Sequence, residues 1–256
     1  MSQKLKSFIK ESLPPSLLRF FRMPRLALAR YRKRSLTTEE IFDDIYKNKV
    51  WGSGDREYYS GGGSDSVNIQ PYCQMVKEII QKYGLSRIVD LGCGDFSVGR
   101  EILSHNVKYI GIDIVEDLVN YNQKKFGSET IKFTKLNVIT EDLPDADLCT
   151  VRQVLQHLSN SQITTILEKL KKYPYVLITE HYPAQKVNSR FNIDKPHGDD
   201  TRVVDNSAVY LDKAPFNINA NHMECVLEIE LNENYISYPG EYLRTYLIIN
   251  DILDMV

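Results

Sequence analysis

The sequence predicts an α/β protein organised as a doubly wound, mostly parallel sheet. Three observations predict it: short apolar runs alternate with helical stretches, a glycine-rich turn follows the first run, and an acidic residue closes the second. Arg87-Ile88-Val89-Asp90-Leu91 reads as a buried strand, Gly92-Cys93-Gly94 breaks it, and residues 97–104 read as the start of a helix. Glycines between a strand and a helix let a ligand approach bare backbone at the helix N-terminus.

The other elements follow in order. Residues 37–49 read as a helix, with Thr37 or Thr38 as N-cap and Glu39-Glu40 in the first turn. The stretch from Trp51 to Ser64 is rich in Gly, Ser and Tyr and carries the only Trp. It reads equally as a lid over a ligand or as a linker with its Trp in the core. An amphipathic helix over 71–83 leads through Gly84 into the first strand. The second strand, 109–113, ends in Asp113, suited to gripping ribose hydroxyls, and a helix follows over 115–126. The third strand is 131–133, with Asn137-Val138 just beyond it. The fourth is 147–151, then a helix over 161–171 and a fifth strand over 175–179 that ends at Glu180-His181-Tyr182. Residues 224–231 and 244–250 read as two strands with no helix between them, hence an antiparallel edge pair and seven strands in all. The polar, Asn- and Pro-rich stretch 183–222 reads as an insert, assigned to the acceptor because loops at the carboxyl edge carry substrate contacts.

At 256 residues the chain suits one sizeable α/β core with an extension: residues 1–36 as a basic amphipathic extension and 37–256 as the domain. Residues 1–34 carry ten Lys or Arg against Glu11, so the remaining 222 residues hold a net −11 where the whole chain has −2. Pro14-Pro15 and Pro24 imply that any helices there are short. No apolar run reaches the ~18–20 residues that span a bilayer, and no signal-peptide core is present. Basic residues interleaved with Leu and Phe favour an anionic membrane surface or a partner over nucleic acid. The four cysteines are scattered with no C-x-x-C pair, which points to reduced thiols in a cytoplasmic setting and away from a structural zinc.

Asp90-x-Gly92-x-Gly94, followed by Gly111-Ile112-Asp113, resembles motifs I and II of class I S-adenosylmethionine (SAM) dependent methyltransferases, a Rossmann-like fold. Phe96 stands where that family's third motif I glycine usually lies, a departure expected to reshape the loop and keep the pocket. The stretches Val151 to Asn160, Thr179-Glu180-His181, Asn192-Ile193-Asp194, Arg202 and Ala214-Pro215-Phe216 resemble bacterial methyltransferases of surface-polysaccharide and lipopolysaccharide synthesis. The likeness covers roughly residues 40–250. It implies a SAM-dependent enzyme that O-methylates a sugar, glycan or nucleotide-sugar precursor, with cofactor contacts at Asp90, Gly92, Gly94, Asp113, Ile114, Asn137, Val138 and Arg152. The scattered cysteines and the basic segment place such an enzyme in the cytoplasm, or peripheral to the inner face of the membrane. Two alternatives stand beside it: a methyltransferase of RNA or another small metabolite, and a non-catalytic SAM-binding partner in a glycan-assembly complex.

A sugar hydroxyl is a poor nucleophile, so a positioned base should assist. His181 and His157 both follow strand ends on the ligand edge; His181 is the leading candidate and His157 its rival, with Asp199 of the insert as a third. Arg202, Asp194, Asp200 and Trp51 are candidates for acceptor contacts, and Arg152 and Arg202 could each hold a carboxylate, phosphate or sulfate of the acceptor through bidentate bonds, ordinary salt bridging being the alternative. A divalent metal is not favoured. Gln153 and Gln156 stand where some metal-using relatives carry the acids of a Glu-x-x-Glu-His segment, which leaves Asp194, Asp199 and Asp200 as oxygen donors.

Overall fold

The computed structural model describes residues 15–52, 57–64, 66–103, 107–184, 189–231 and 240–250, with backbone only for 15–22 and 66–68. The readings on residues 1–14, Ser53-Gly54 of the expected lid, Ser104 of the expected helix and Pro239 lie outside the described residues. The chain divides into two compact units, Met1–Thr37 and Thr38–Val256.

In the first unit, helix α1 spans Pro15–Lys33 without a break, although Pro24 lies inside it. This corrects the expectation of short helices. Pro15 occupies the first helical position, where its missing N–H has no intrahelical partner to lose, and Pro24 costs one further bond. Arg30, Arg32 and Lys33 fill the last turn, where cations meet the carbonyl end of the helix favourably. Leu28 and Tyr31 are exposed.

The second unit is built on a seven-stranded sheet in the order β3-β2-β1-β4-β5-β7-β6. The strands are β1 Arg87–Leu91, β2 Lys108–Asp113, β3 Ile131–Lys135, β4 Leu148–Arg152, β5 Tyr175–Tyr182, β6 Met223–Glu230 and β7 Tyr242–Ile249. The first five are parallel; β7 joins β5 antiparallel, and β6 pairs antiparallel with β7 at the edge. The helices are α2 Thr38–Lys47, α3 Ser66–Tyr83, α4 Gly99–Ile102, α5 Glu116–Phe126 and α6 Asn160–Leu170. Helix α4 is a single turn, shorter than the sequence suggested, and β5 runs on through Glu180-His181-Tyr182.

Two-residue periodicity sends alternate strand residues into two apolar layers. Val89, Leu91, Cys149, Val151, Val176 and Ile178 pack with Ile163, Ile166 and Leu170 of α6. Ile88, Leu148 and Leu177 pack with Tyr72, Val76 and Ile79 of α3. Each such aliphatic side chain, fully buried, stabilises the fold by ~1.5–3 kcal/mol. The start of α6 is fixed by a capping box. Ser159 Oγ accepts from Gln162 N–H, and Gln162 Oε1 accepts from Ser159 N–H.

Candidate active site

The carboxyl ends of β1, β2 and β4 open on a cavity of about 390 Å³. The turn after β1 forms part of its wall. Gly92 and Gly94 sit there at φ +72° and +55°, a conformation strained for any residue with a Cβ. The space is also taken: a Cβ on Gly92 would lie 2.5 Å from Val154 Cγ2, and one on Gly94 would collide with Ser60 Oγ. Phe96, at φ +62°, turns into the core, where its ring meets Tyr109, Phe126 and Phe133. The bulky residue at the third-glycine position therefore leaves the cavity open.

Two buried acids hold this turn in place. Asp113 Oδ2 accepts from Gly94 N–H and its Oδ1 from Val115 N–H, both at 3.1 Å. Burial pushes its carboxyl up to about 6 against the pull of these donors. Asp90 accepts the Tyr109 hydroxyl at 2.6 Å and the Thr150 hydroxyl at 2.7 Å, so it ties β1 to both neighbouring strands. Burial raises its pKa as well. Asn122 of α5 donates to Gly94 O at 2.7 Å.

Arg152 ends β4. One Nη donates to Gly63 O at 2.8 Å and the other to Gln153 Oε1 at 3.2 Å, and the guanidinium stands 5.1 Å from the centre of the Tyr72 ring. Its Nε is buried without a hydrogen bond. Among the described residues no carboxylate lies within ion-pair distance of it, and burial lowers its pKa.

Another part of the wall is aromatic. The Trp51 ring lies 5.4 Å from His157 and 5.6 Å from Tyr46, and Phe42 lies 6.0 Å from both Trp51 and His157. His157 closes a short turn, Leu155–His157, whose N–H groups at Leu155 and Gln156 are accepted by Glu180 at 2.9 and 3.0 Å. Burial holds the Glu180 carboxyl up at about 8. The His157 Nδ1 lies 3.1 Å from Gly198 O. A carbonyl can only accept, so Nδ1 carries the proton and Nε2 keeps its lone pair. Burial first, and Lys195 second, push His157 down to about 4, so the ring is neutral at pH 7. His181 is buried on the cavity wall, with Nε2 3.1 Å from Glu241 Oε2. That separation is an ion pair once the ring is protonated, although it lacks hydrogen-bond geometry. Coulomb attraction across that distance does not depend on the N–H angle. With Glu241 at Nε2, Nδ1 is the nitrogen left for the cavity.

Residues 89–173, about a third of the chain, match the family model described as a methyltransferase domain. No curated protein matches the sequence. Among solved structures, the magnesium protoporphyrin IX methyltransferase of Synechocystis PCC 6803 with bound SAM superposes with a TM-score of 0.53 at 13% identity, covering 85% of this chain and 99% of that one. The N-methyltransferase NodS from Bradyrhizobium japonicum WM9, in complex with S-adenosyl-l-homocysteine (SAH), gives 0.51 at 11% identity, covering 73% and 89%. The domain has the Rossmann-like methyltransferase fold.

On this methyltransferase fold, Asp90, Gly92, Gly94, Asp113, Ile114, Asn137, Val138 and Arg152 line one and the same cavity, together with Trp51, His157, His181 and Asp199. Asn137 Oδ1 already accepts from Ile139 N–H at 3.0 Å. Three residues expected at the acceptor do not line the cavity. Arg202 is 1% exposed and donates to Ile193 O and Leu158 O, both at 2.7 Å. Asp194 Oδ1 accepts from Asn160 N–H at the start of α6 and from Lys195 N–H. Asp200 Oδ1 stands 3.6 Å from the buried Lys195 Nζ. All three bind the insert to itself or to the domain, because a long loop must satisfy its own buried polar groups. Among the described residues no group of three or more His, Cys, Asp or Glu side chains converges as a metal site would.

Sequence reasoning missed Glu241, Glu180, Tyr46 and Ser60. Ser60 Oγ accepts Asp95 N–H at 2.8 Å and lies 2.9 Å from Tyr46 Oη, which joins the 51–64 stretch to the glycine turn. The one available signal was Glu180, an acid inside an otherwise apolar strand.

Proposed function

We propose that the protein is a SAM-dependent methyltransferase whose acceptor is a hydroxyl of a sugar or glycan precursor. One observation carries the reading: a glycine turn, a buried carboxylate on the next strand, a guanidinium on β4 and two histidines share one cavity at the carboxyl edge of a methyltransferase fold. The donor set fits the cofactor. The Asp113 carboxylate, held by backbone N–H groups of Gly94, Val115 and Ile114, lines the cavity as the acceptor that a ribose hydroxyl would need. Ile114 and Val138 offer apolar surface for a purine, with Asn137 beside them.

The cofactor supplies a methyl group already activated by its sulfonium charge. What remains for the protein is alignment of the acceptor and removal of one proton. His181 is assigned the proton, taken at Nδ1, with the Glu241 carboxylate stabilising the imidazolium at Nε2. Trp51 and Phe42 present flat aromatic faces whose negative charge suits the C–H face of a sugar ring. The likeness of residues 151–160 and 179–181 to polysaccharide methyltransferases supports the same acceptor class.

Calorimetry with SAM and SAH tests the cofactor, and labelled methyl transfer to a panel of sugars and nucleotide sugars, read by mass spectrometry, tests the acceptor. Absence of SAM binding would overturn the reading. Binding with methylation only of a non-sugar acceptor would retain the enzyme and remove the sugar.

A further inference from the structure

Gln156 carries a hydrogen-bond acceptor that the protein itself does not use. The residue lines the cavity and is 3% exposed, and its Oε1 is buried with no partner among the described residues. Its neighbours fix which way the amide points. Nε2 lies 3.3 Å from Gln153 O and 3.4 Å from His157 Nε2. The His157 proton is on Nδ1, given to Gly198 O, so both of these neighbours are acceptors. Turning the amide over would set its oxygen against two lone pairs. Oε1 is therefore held in place, and what it lacks is a donor.

The main chain braces the same position. Glu180 accepts from Leu155 N–H and Gln156 N–H at 2.9 and 3.0 Å, and it precedes His181 in β5. Strands β4 and β5 are paired neighbours, with Arg152 opposite Thr179. The orphan oxygen and the histidine assigned the proton thus stand at the ends of two adjacent strands, tied together through Glu180. The residue after Gln156 meets the rings of Trp51 and Phe42 and the Gly198 carbonyl of the insert, which puts Gln156 on the acceptor side. A buried acceptor without a donor destabilises the unliganded protein, and a ligand O–H removes that penalty on binding.

We infer that Gln156 Oε1 accepts a second hydroxyl of the acceptor, so that the substrate is a diol and Gln156 selects it. The inference rests on the sugar reading above and narrows it. One oxygen gives its proton to His181 as it takes the methyl group, whose bonding electrons stay on sulfur. The neighbouring hydroxyl donates to Gln156 and remains intact. An acceptor with one hydroxyl would leave Oε1 buried and unpaired, and a site built around a hydroxyl discriminates against analogues that lack it.

Three measurements test this on the full chain. Thermal melts without ligand should show Gln156→Met raising the midpoint by about 2–4 °C, because an apolar side chain removes the unpaired oxygen. Calorimetry with SAH should give the same affinity in both proteins within about twofold. Labelled methyl transfer is then followed on the methyl glycosides of glucose, galactose and mannose and on their monodeoxy derivatives. Loss of the hydroxyl beside the methylated one should lower wild-type kcat/KM by about 10- to 100-fold. Gln156→Met should lose as much on the parent glycoside and discriminate less than about threefold between parent and deoxy compound. An unchanged or lower midpoint would make Gln156 structural, and a large loss of SAH affinity would give its oxygen to the cofactor; either overturns the inference. So does wild-type turnover that is indifferent to the neighbouring hydroxyl, a comparison that needs no variant. A chain that binds SAH but methylates none of these glycosides marks a different failure, that of the sugar reading, and the diol falls with it.

Discussion

His157 and Gly198 are joined twice. The imidazole Nδ1–H donates to Gly198 O at 3.1 Å, and Gly198 N–H donates to His157 O at 2.9 Å. The pair fastens the insert to the turn after β4 and selects one ring tautomer, which is how a side chain on the cavity wall comes to be neutral, oriented and structurally committed at once.

That commitment has a pH signature. The unfolded histidine titrates at 6.5 and the folded one at about 4, so as pH falls the unfolded chain takes up the proton first. The contribution is complete above 6.5 and lost as pH falls to about 4, and it amounts to about 3 kcal/mol. Asp113 and Glu180 have raised values and act with the opposite sign, their stabilisation fading as pH rises through about 6 and about 8. Both remain in His157→Gln, so they cancel in the comparison. Urea unfolding at pH 7 and pH 4.5 should show the wild type losing more stability than His157→Gln; parallel losses would contradict the assignment.

For His181 the expected signature is kinetic. His181→Ala should lower turnover by ~10²–10⁴-fold and leave SAM affinity nearly unchanged. Full activity in that variant would move the base to His157 or Asp199.

Gly92 is doubly constrained, by its φ of +72° and by Val154 Cγ2 at 2.5 Å from its absent Cβ. Gly92→Val should therefore abolish SAM binding and also lower stability, a cost of ~1–3 kcal/mol for backbone held in a sparsely populated region. Gly92→Ala with Val154→Ala should relieve the contact but not the φ strain. Thermal melts of the two variants would show partial recovery only in the second. Unchanged SAH affinity in a folded Gly92→Val protein would count against the cofactor site.

The basic segment is expected to bring the chain to anionic lipid. Basic residues near such a surface contribute ~1 kcal/mol each, and residues 4–34 carry ten. Co-sedimentation with phosphatidylserine vesicles should fall with added salt and vanish on deleting residues 1–34. Equal sedimentation with neutral vesicles would reject the proposal.

The strands were legible in the sequence because β-branched and aliphatic runs between turns have few alternatives, as at Ile88-Val89 and Tyr175 to Ile178. The far end of β5 was harder to see. Glu180 and His181 are polar, and what buries them comes from elsewhere: the Leu155-Gln156 turn for one, β7 and Glu241 for the other. No local pattern announces Glu241. It reaches His181 because the antiparallel register pairs His181 with Leu243 across some sixty residues of chain. Arg202, Asp194 and Asp200 looked like ligand contacts for a similar reason: an aperiodic insert gives no sign of which polar side chains face inward to hold the loop and which, like Asp199, face the cavity.

Most attachments of the insert have a backbone atom at one end at least, and few side chains supply the other. Gly198 N–H meets His157 O, Asn160 Nδ2 meets Asn192 O, and Arg202 meets the carbonyls of Leu158 and Ile193. A cradle fastened in this way depends on Arg202 and Asn160 and not on Thr201, which the cavity sees. Thr201, whose side chain makes no capping bond to the turn it begins, can be randomised while the moorings stay, so a library confined to that position would vary the cavity wall on an unchanged frame.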